Sequence, residues 1–237
     1  MKNLLLVLAL VTTIPFAIYA QNPPAPPQTY AFGNRIVRVP MPDGFAEITS
    51  QFPTLAARFR ATEGSGNDLL SFGVPKTFIP KLQINEDIDL EFYTKASAVT
   101  RLRSMDVTPA NFAELAATLE KNFGSFIDPD GAVMKNAEKN STKGLTELLG
   151  RDTPVDINGT TNLGFIEKSP KVFSGMLLMN FEIYGRKMTT LGTMSILHVN
   201  NRLVSVSVYR MMPDQNSIRE LTDFTKKWTA KIVAANK

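Results

Sequence analysis

From Pro154 onward, apolar residues alternate with polar ones between tight turn signals, and this pattern restricts the fold more than any other feature of the chain. Val204, Val206 and Val208 alternate with Leu203, Ser205, Ser207 and Tyr209, while Leu177, Met179, Phe181 and Ile183 share one face of an earlier strand. Gly185-Arg186 and Asn200-Asn201 mark tight turns, and Asn158-Gly159 is the favoured two-residue hairpin pair, predicted to reverse the chain between 155–157 and 161–167. Turns this short leave no room for crossover helices. The sequence therefore predicts an antiparallel meander rather than a parallel sheet.

Helices are expected around this sheet. Pro53 opens one through Leu55, Ala56, Phe59 and Arg60. Thr108-Pro109 caps a second, whose stripe is Phe112, Leu115, Ala116, Leu119 and Phe123, with Gly124 as its predicted end. A more polar helix is predicted over 130–140. The last helix begins near Asp214 or Asn216 and offers Ile218, Leu221, Thr225, Trp228 and Ile232 to the sheet. Residues 35–40 and 69–74 read as strands, with 45–48 as a short extended piece. Residues 87–92 also read as a strand, with Ile88, Leu90 and Phe92 alternating against Asp87, Asp89 and Glu91. No internal repeat appears, and the reading is one α+β domain over 32–237, an antiparallel meander flanked by amphipathic helices.

The beginning of the chain bears on destination. Met1-Lys2-Asn3 supplies a positive start, and residues 4–20 are mostly apolar up to Ala17-Ile18-Tyr19-Ala20. This layout predicts a signal peptide over 1–20, cut after Ala20, for a periplasmic or secreted protein. An uncleaved anchor is the competing reading, weakened by Thr12, Thr13 and Pro15. Residues 21–31 form a proline-rich spacer in this reading, with four of the fifteen prolines among eight residues. An exported chain with no cysteine points to a bacterial envelope.

Composition removes several chemistries. Zero cysteines exclude thiolate metal sites and a cysteine nucleophile, and a single histidine excludes multi-histidine metal centres. The net charge of +4 is dispersed among acids, without the concentrated basic stripe that nucleic acid binding needs. Ser195 and His198 are three apart on a strand, which places them on opposite faces and spoils a catalytic dyad. Asp87, Asp89 and Glu91 share a strand side. They read as a solvated face, with cation binding or paired-acid chemistry as alternatives. Asp128-Pro129-Asp130-Gly131 resembles the opening of a calcium loop but lacks its later ligands, so it reads as a turn. Six of ten methionines (Met176, Met179, Met188, Met194, Met211, Met212) fall within 176–212. They suit core packing, and less well an apolar groove or a Cu(I) site.

The order of a strand, then Val39-Pro40-Met41-Pro42-Asp43-Gly44-Phe45, a helix, a meander and a C-terminal helix with Trp228 resembles the PsbP/Mog1-like α/β/α sandwich over residues 32–236. That resemblance implies a binding or assembly role and supplies no catalytic residue. The functional expectation is a non-enzymatic envelope protein that binds another protein as an assembly factor or chaperone. It has no cofactor, no metal and no assigned catalytic residue. A small-ligand or lipid-binding protein and a carboxylate-dependent wall hydrolase are the alternatives.

Overall fold

The computed structural model describes residues 28–64, 66–84 and 90–237. The expected signal, the first part of the spacer, Asp87 and Asp89 lie outside the described residues.

The chain is α+β, with a seven-stranded antiparallel sheet at its centre. In spatial order the strands are β3 (Phe45–Glu47), β4 (Asn67–Pro75), β5 (Phe92–Val99), β9 (Arg202–Met211), β8 (Arg186–Val199), β7 (Val172–Ile183) and β6 (Val155–Lys168). The four last strands in sequence form the predicted meander. Left-handed backbone at Tyr184-Gly185 and Asn200-Asn201 makes two of its reversals. A separate hairpin, β1 (Gln28–Phe32) and β2 (Arg35–Val39), pairs antiparallel. Pairing therefore starts at Gln28, inside the segment read as spacer over 21–31, because residues 28–32 all have the backbone N–H that a ladder needs and Phe32 is buried in the core.

Two further expectations are corrected. Asn158-Gly159 does not turn the chain: β6 runs through it beside β7, with a register shift between Ile157 and Gly159 that marks a bulge. Pairing along the whole of β7 overrides the local turn preference. The reversal instead falls at Pro170-Lys171, where Ser169 N donates to Val172 O at 2.8 Å. Gly124 does not end its helix, because α3 (Pro109–Phe126) continues past it. The polar helix is longer than expected, as α4 (Ala132–Leu149), and ends on left-handed Gly150.

Helix α5 (Ser217–Ala235) covers one sheet face. Leu221, Trp228 and Ile232 are buried against Val204, Val206, Val208, Leu191 and Leu197, and the β1–β2 hairpin adds Phe32, Val37 and Val39. The indole N–H of Trp228 donates to Pro40 O at 2.8 Å, so a large ring is buried without stranding its donor. Ile218 departs from the expected stripe and stays exposed. Arg202 is fully buried at the end of this layer, donating to Phe32 O, Met105 O, Asn201 O, Asn34 Oδ1 and Asp106 Oδ1. One guanidinium thereby ties the hairpin turn and the 105–106 loop to β9.

The opposite face carries three main helices, with the short α2 (Ile79–Gln83) beside α1 on the same cluster. α1 (Pro53–Ala61) packs over β4, α3 over β7 and β8, and α4 over β6 and β7. Two glycines allow this layer to come close. A side chain at Gly175 would meet the Phe123 ring at 2.6 Å, and one at Gly144 would meet Thr62 Cα at 2.7 Å. Side chains cap part of two edge strands, β2 and β6. Asn236 both donates to Arg38 O and accepts from Arg38 N, Thr142 pairs with Val155 N, and Glu138 accepts from Ile157 N.

Candidate binding face

Strand register determines what the three-helix face displays. Tyr93 lies opposite Tyr209, Lys95 opposite Ser207, and Ser97 opposite Ser205. On the next strand, Ser207 faces Met194 and Ser205 faces Ile196. The neighbouring residues of β5 that point the other way, Thr94, Ala96 and Ala98, are fully buried under α5. Tyr93, Lys95, Ser97 and Ser205 are only half-buried, and Met194 is 45% exposed. Helices α1, α3 and α4 thus leave the central strands of their face partly uncovered.

Aromatic rings pack along this strip and beside it. Four rings stack from α1 to β9: Phe59 on Phe72 at 3.8 Å, Phe72 on Tyr93 at 5.2 Å, and Tyr93 on Tyr209 at 5.0 Å. On the other side Phe112 lies 5.4 Å from the His198 ring. Lys95 Nζ sits 2.8 Å from Glu63 Oε1, with the glutamate side chain only 6% exposed. Burial alone would push the Lys95 ammonium down, but Tyr209 and Glu63 outweigh it and hold the group above its usual range. Burial raises the Tyr93 phenol, with Tyr209 and Glu63 adding to the effect, so it stays protonated.

The strip is rich in hydrogen-bonding groups without protein partners. Among the described residues, the hydroxyls of Tyr93, Ser97, Ser205, Ser207 and Tyr209 accept from and donate to no other protein group, although Ser207 is only 9% exposed. Lys95 uses one of its three N–H donors on Glu63. Polar groups this far out of bulk water are costly unless something satisfies them. A bound surface with complementary donors and acceptors would do so.

The residues singled out in the sequence are dispersed. Ser195 donates to or accepts from Ser174 at 2.6 Å on the α5 side, while the His198 ring bonds Val107 O at 2.7 Å on the other side. They form no dyad, as their spacing predicted. Glu91 is exposed just before β5. Asp128 forms a turn, with its carboxylate accepting from Asp130 N at 3.1 Å. The methionines divide between layers: Met176 is in the α5 core, Met179 packs between α3 and α4, Met194 lies on the open strip, and Met211 and Met212 lie at the sheet end. They do not converge on a copper site. Among the described residues no group of three or more His, Asp or Glu is placed to hold a metal ion. The open strip itself was not found by sequence reasoning. Its signal was present in Tyr93, Lys95 and Ser97 alternating with buried small residues, but the register against β9 was needed to assemble it.

No protein-family model matches the chain, and no curated protein matches it in sequence. Among solved structures it is similar to a point mutant of the protein Mog1, at 8% identity and a TM-score of 0.29, covering 87% of this chain and 89% of that one. It is also similar to the Saccharomyces cerevisiae Ran-binding protein Mog1p, at 10% identity and a TM-score of 0.28, covering 88% and 90% respectively. At these values the likeness is a weak one of topology, and no residue is carried over.

Proposed function

We propose that this chain is an exported bacterial envelope protein whose role is to bind another protein, as an assembly factor or chaperone, without catalysis of its own. The observation that supports this most is the open strip between α1 and α3. It combines two tyrosines and an exposed Met194, residue types enriched at protein interfaces, with hydroxyls that have no internal partner and are free to bond a bound surface. The strip lies on central strands already paired on both sides, so the partner meets its side chains rather than adding a strand there. The N-terminal layout supports export, and among the described residues no helix is long and apolar enough to cross a membrane.

The test is capture in the envelope. A mature, tagged chain carrying Ser205→Trp should lose a partner that the parent chain retains at constant stoichiometry, while its melting temperature stays close to the parent's. Retention of the same partner by both chains would remove the strip from the account.

A further inference from the structure

A second feature lies at the end of the sheet, just beyond the Tyr93–Tyr209 end of the open strip. Phe78, Glu91, Phe92, Arg210, Met211 and Met212 line a cavity of about 310 Å³ where β4, β5 and β9 end. That volume lies at the lower end of the range for small-molecule sites.

Its walls are held in place from behind. Phe92 is fixed edge-on to Phe45 at 5.1 Å and against Phe224 at 4.9 Å. Arg210 lies 5.8 Å from the centre of the Phe92 ring and bonds Glu220 at 3.2 Å through one nitrogen, leaving donors of its planar fork unused. Thr190 Oγ1 donates to Met211 Sδ at 2.6 Å, and Met211 N donates to Glu91 O at 2.8 Å, which joins the two charged residues through the backbone. Met212 is left-handed at φ +45° and 66% exposed, a conformation that costs free energy in a non-glycine residue. Strain and pre-set aromatic walls beside a cavity of this size mark a place able to hold a small occupant.

The lining selects the occupant's chemistry. One cation with unused donors and one carboxylate, Glu91, without an ion-pair partner among the described residues, border walls made by Phe78, Phe92, Met211 and Met212 together with Pro75 and Thr77. A neutral apolar molecule would desolvate both charges without return, and a ligand of one sign would leave the other charge opposed. A zwitterion with an apolar body satisfies all three surfaces. We propose that the cavity binds a free α-amino acid with an apolar side chain, its carboxylate on Arg210, its ammonium on Glu91 and its side chain against Phe78, Phe92 and Met212. The cavity shares no lining residue with the open strip, so either assignment can fail without the other.

The experiment is calorimetric titration of the mature chain with L-phenylalanine and L-leucine, alongside 3-phenylpropanoate and phenethylamine, which each keep only one charge. The expected result is saturable binding of an amino acid, with both single-charge analogues weaker by at least about tenfold. Glu91→Gln should weaken binding by a similar factor. Because Glu91 is exposed and unpaired, that variant should melt where the parent does. Arg210→Gln should abolish binding. Absence of saturable heat with either amino acid at about 10 mM would overturn the proposal, as would equal binding of 3-phenylpropanoate or an unchanged affinity in Glu91→Gln.

Discussion

The two faces of the sheet are built from the same strands and differ in how completely they are covered. On the α5 side, β5 and β9 present Ala96, Ala98, Val204, Val206 and Val208, all buried, under one amphipathic helix and a hairpin. On the other side the same strands present Tyr93, Lys95, Ser97, Ser205 and Tyr209, half-buried under three helices. The helix and the hairpin together seal their face, because small and β-branched residues let them sit close. Three helices do not seal theirs, because each packs on its own cluster at the rim. The difference separates a face that holds the protein together from one that remains available.

The largest effect should come from the sealed face. Trp228→Ala should cost about 3–5 kcal/mol, read from urea denaturation, since it removes a fully buried ring and its hydrogen bond to Pro40. Met194→Ala on the open strip should cost under about 1 kcal/mol in the same assay. Comparable losses at both positions would erase the distinction between the faces.

Next in size is the ion pair within the strip. Lys95→Met leaves the Glu63 carboxylate, only 6% exposed, without its partner, and should destabilise by about 3 kcal/mol. Adding Glu63→Gln should recover most of that loss, because an unpaired amide is far cheaper to bury than a charge. A double-mutant cycle that shows simple additivity would mean that the two groups are effectively solvated.

Smaller still is Ser207→Val. It places a β-branched residue in a strand and removes a hydroxyl with no internal partner, so stability should move by less than about 1 kcal/mol. A substantial destabilisation would show that the hydroxyl serves the fold.

The smallest effect is one of pH. The Asp106 carboxyl lies below the usual carboxylate range because it accepts a hydrogen bond from Arg202 and sits in that guanidinium's field. A carboxyl with a depressed folded pKa adds stability above its unfolded value of about 3.9, and loses it as pH falls through the folded value. The stability gap between the parent chain and Asp106→Asn should therefore narrow below about pH 4, as measured by acid-dependent urea midpoints. A gap independent of pH would place the cost in the altered hydrogen bond alone.

Legibility in the sequence followed the range of the interactions. Strand alternation from Leu203 to Tyr209, the Thr108-Pro109 start and the Trp228 stripe were readable because their physics is local. Thr108 Oγ1 does accept from Asn111 N at 3.1 Å, as a cap should. Asn158-Gly159 misled because pairing with β7, a non-local term, overrides the turn propensity of two residues. Gly124 misled because a glycine only weakens a helix, and the aromatic stripe on Phe112 and Phe123 carries α3 past it. The binding strip was illegible for the same reason as the bulge. Ser205 and Ser207 look like any solvated strand face until register sets Ser97 and Lys95 across from them and brings Tyr93 onto Tyr209.

The most direct test of the open strip as a binding face is site-specific photo-crosslinking in living cells. One photoreactive residue would replace Met194 on the strip, and another would replace Lys227 on the outer side of α5. The account predicts a discrete protein adduct of constant mass from position 194, none from 227, and loss of the 194 adduct when Ser205→Trp is added. No adduct from 194, or the same adduct from both positions, would contradict it.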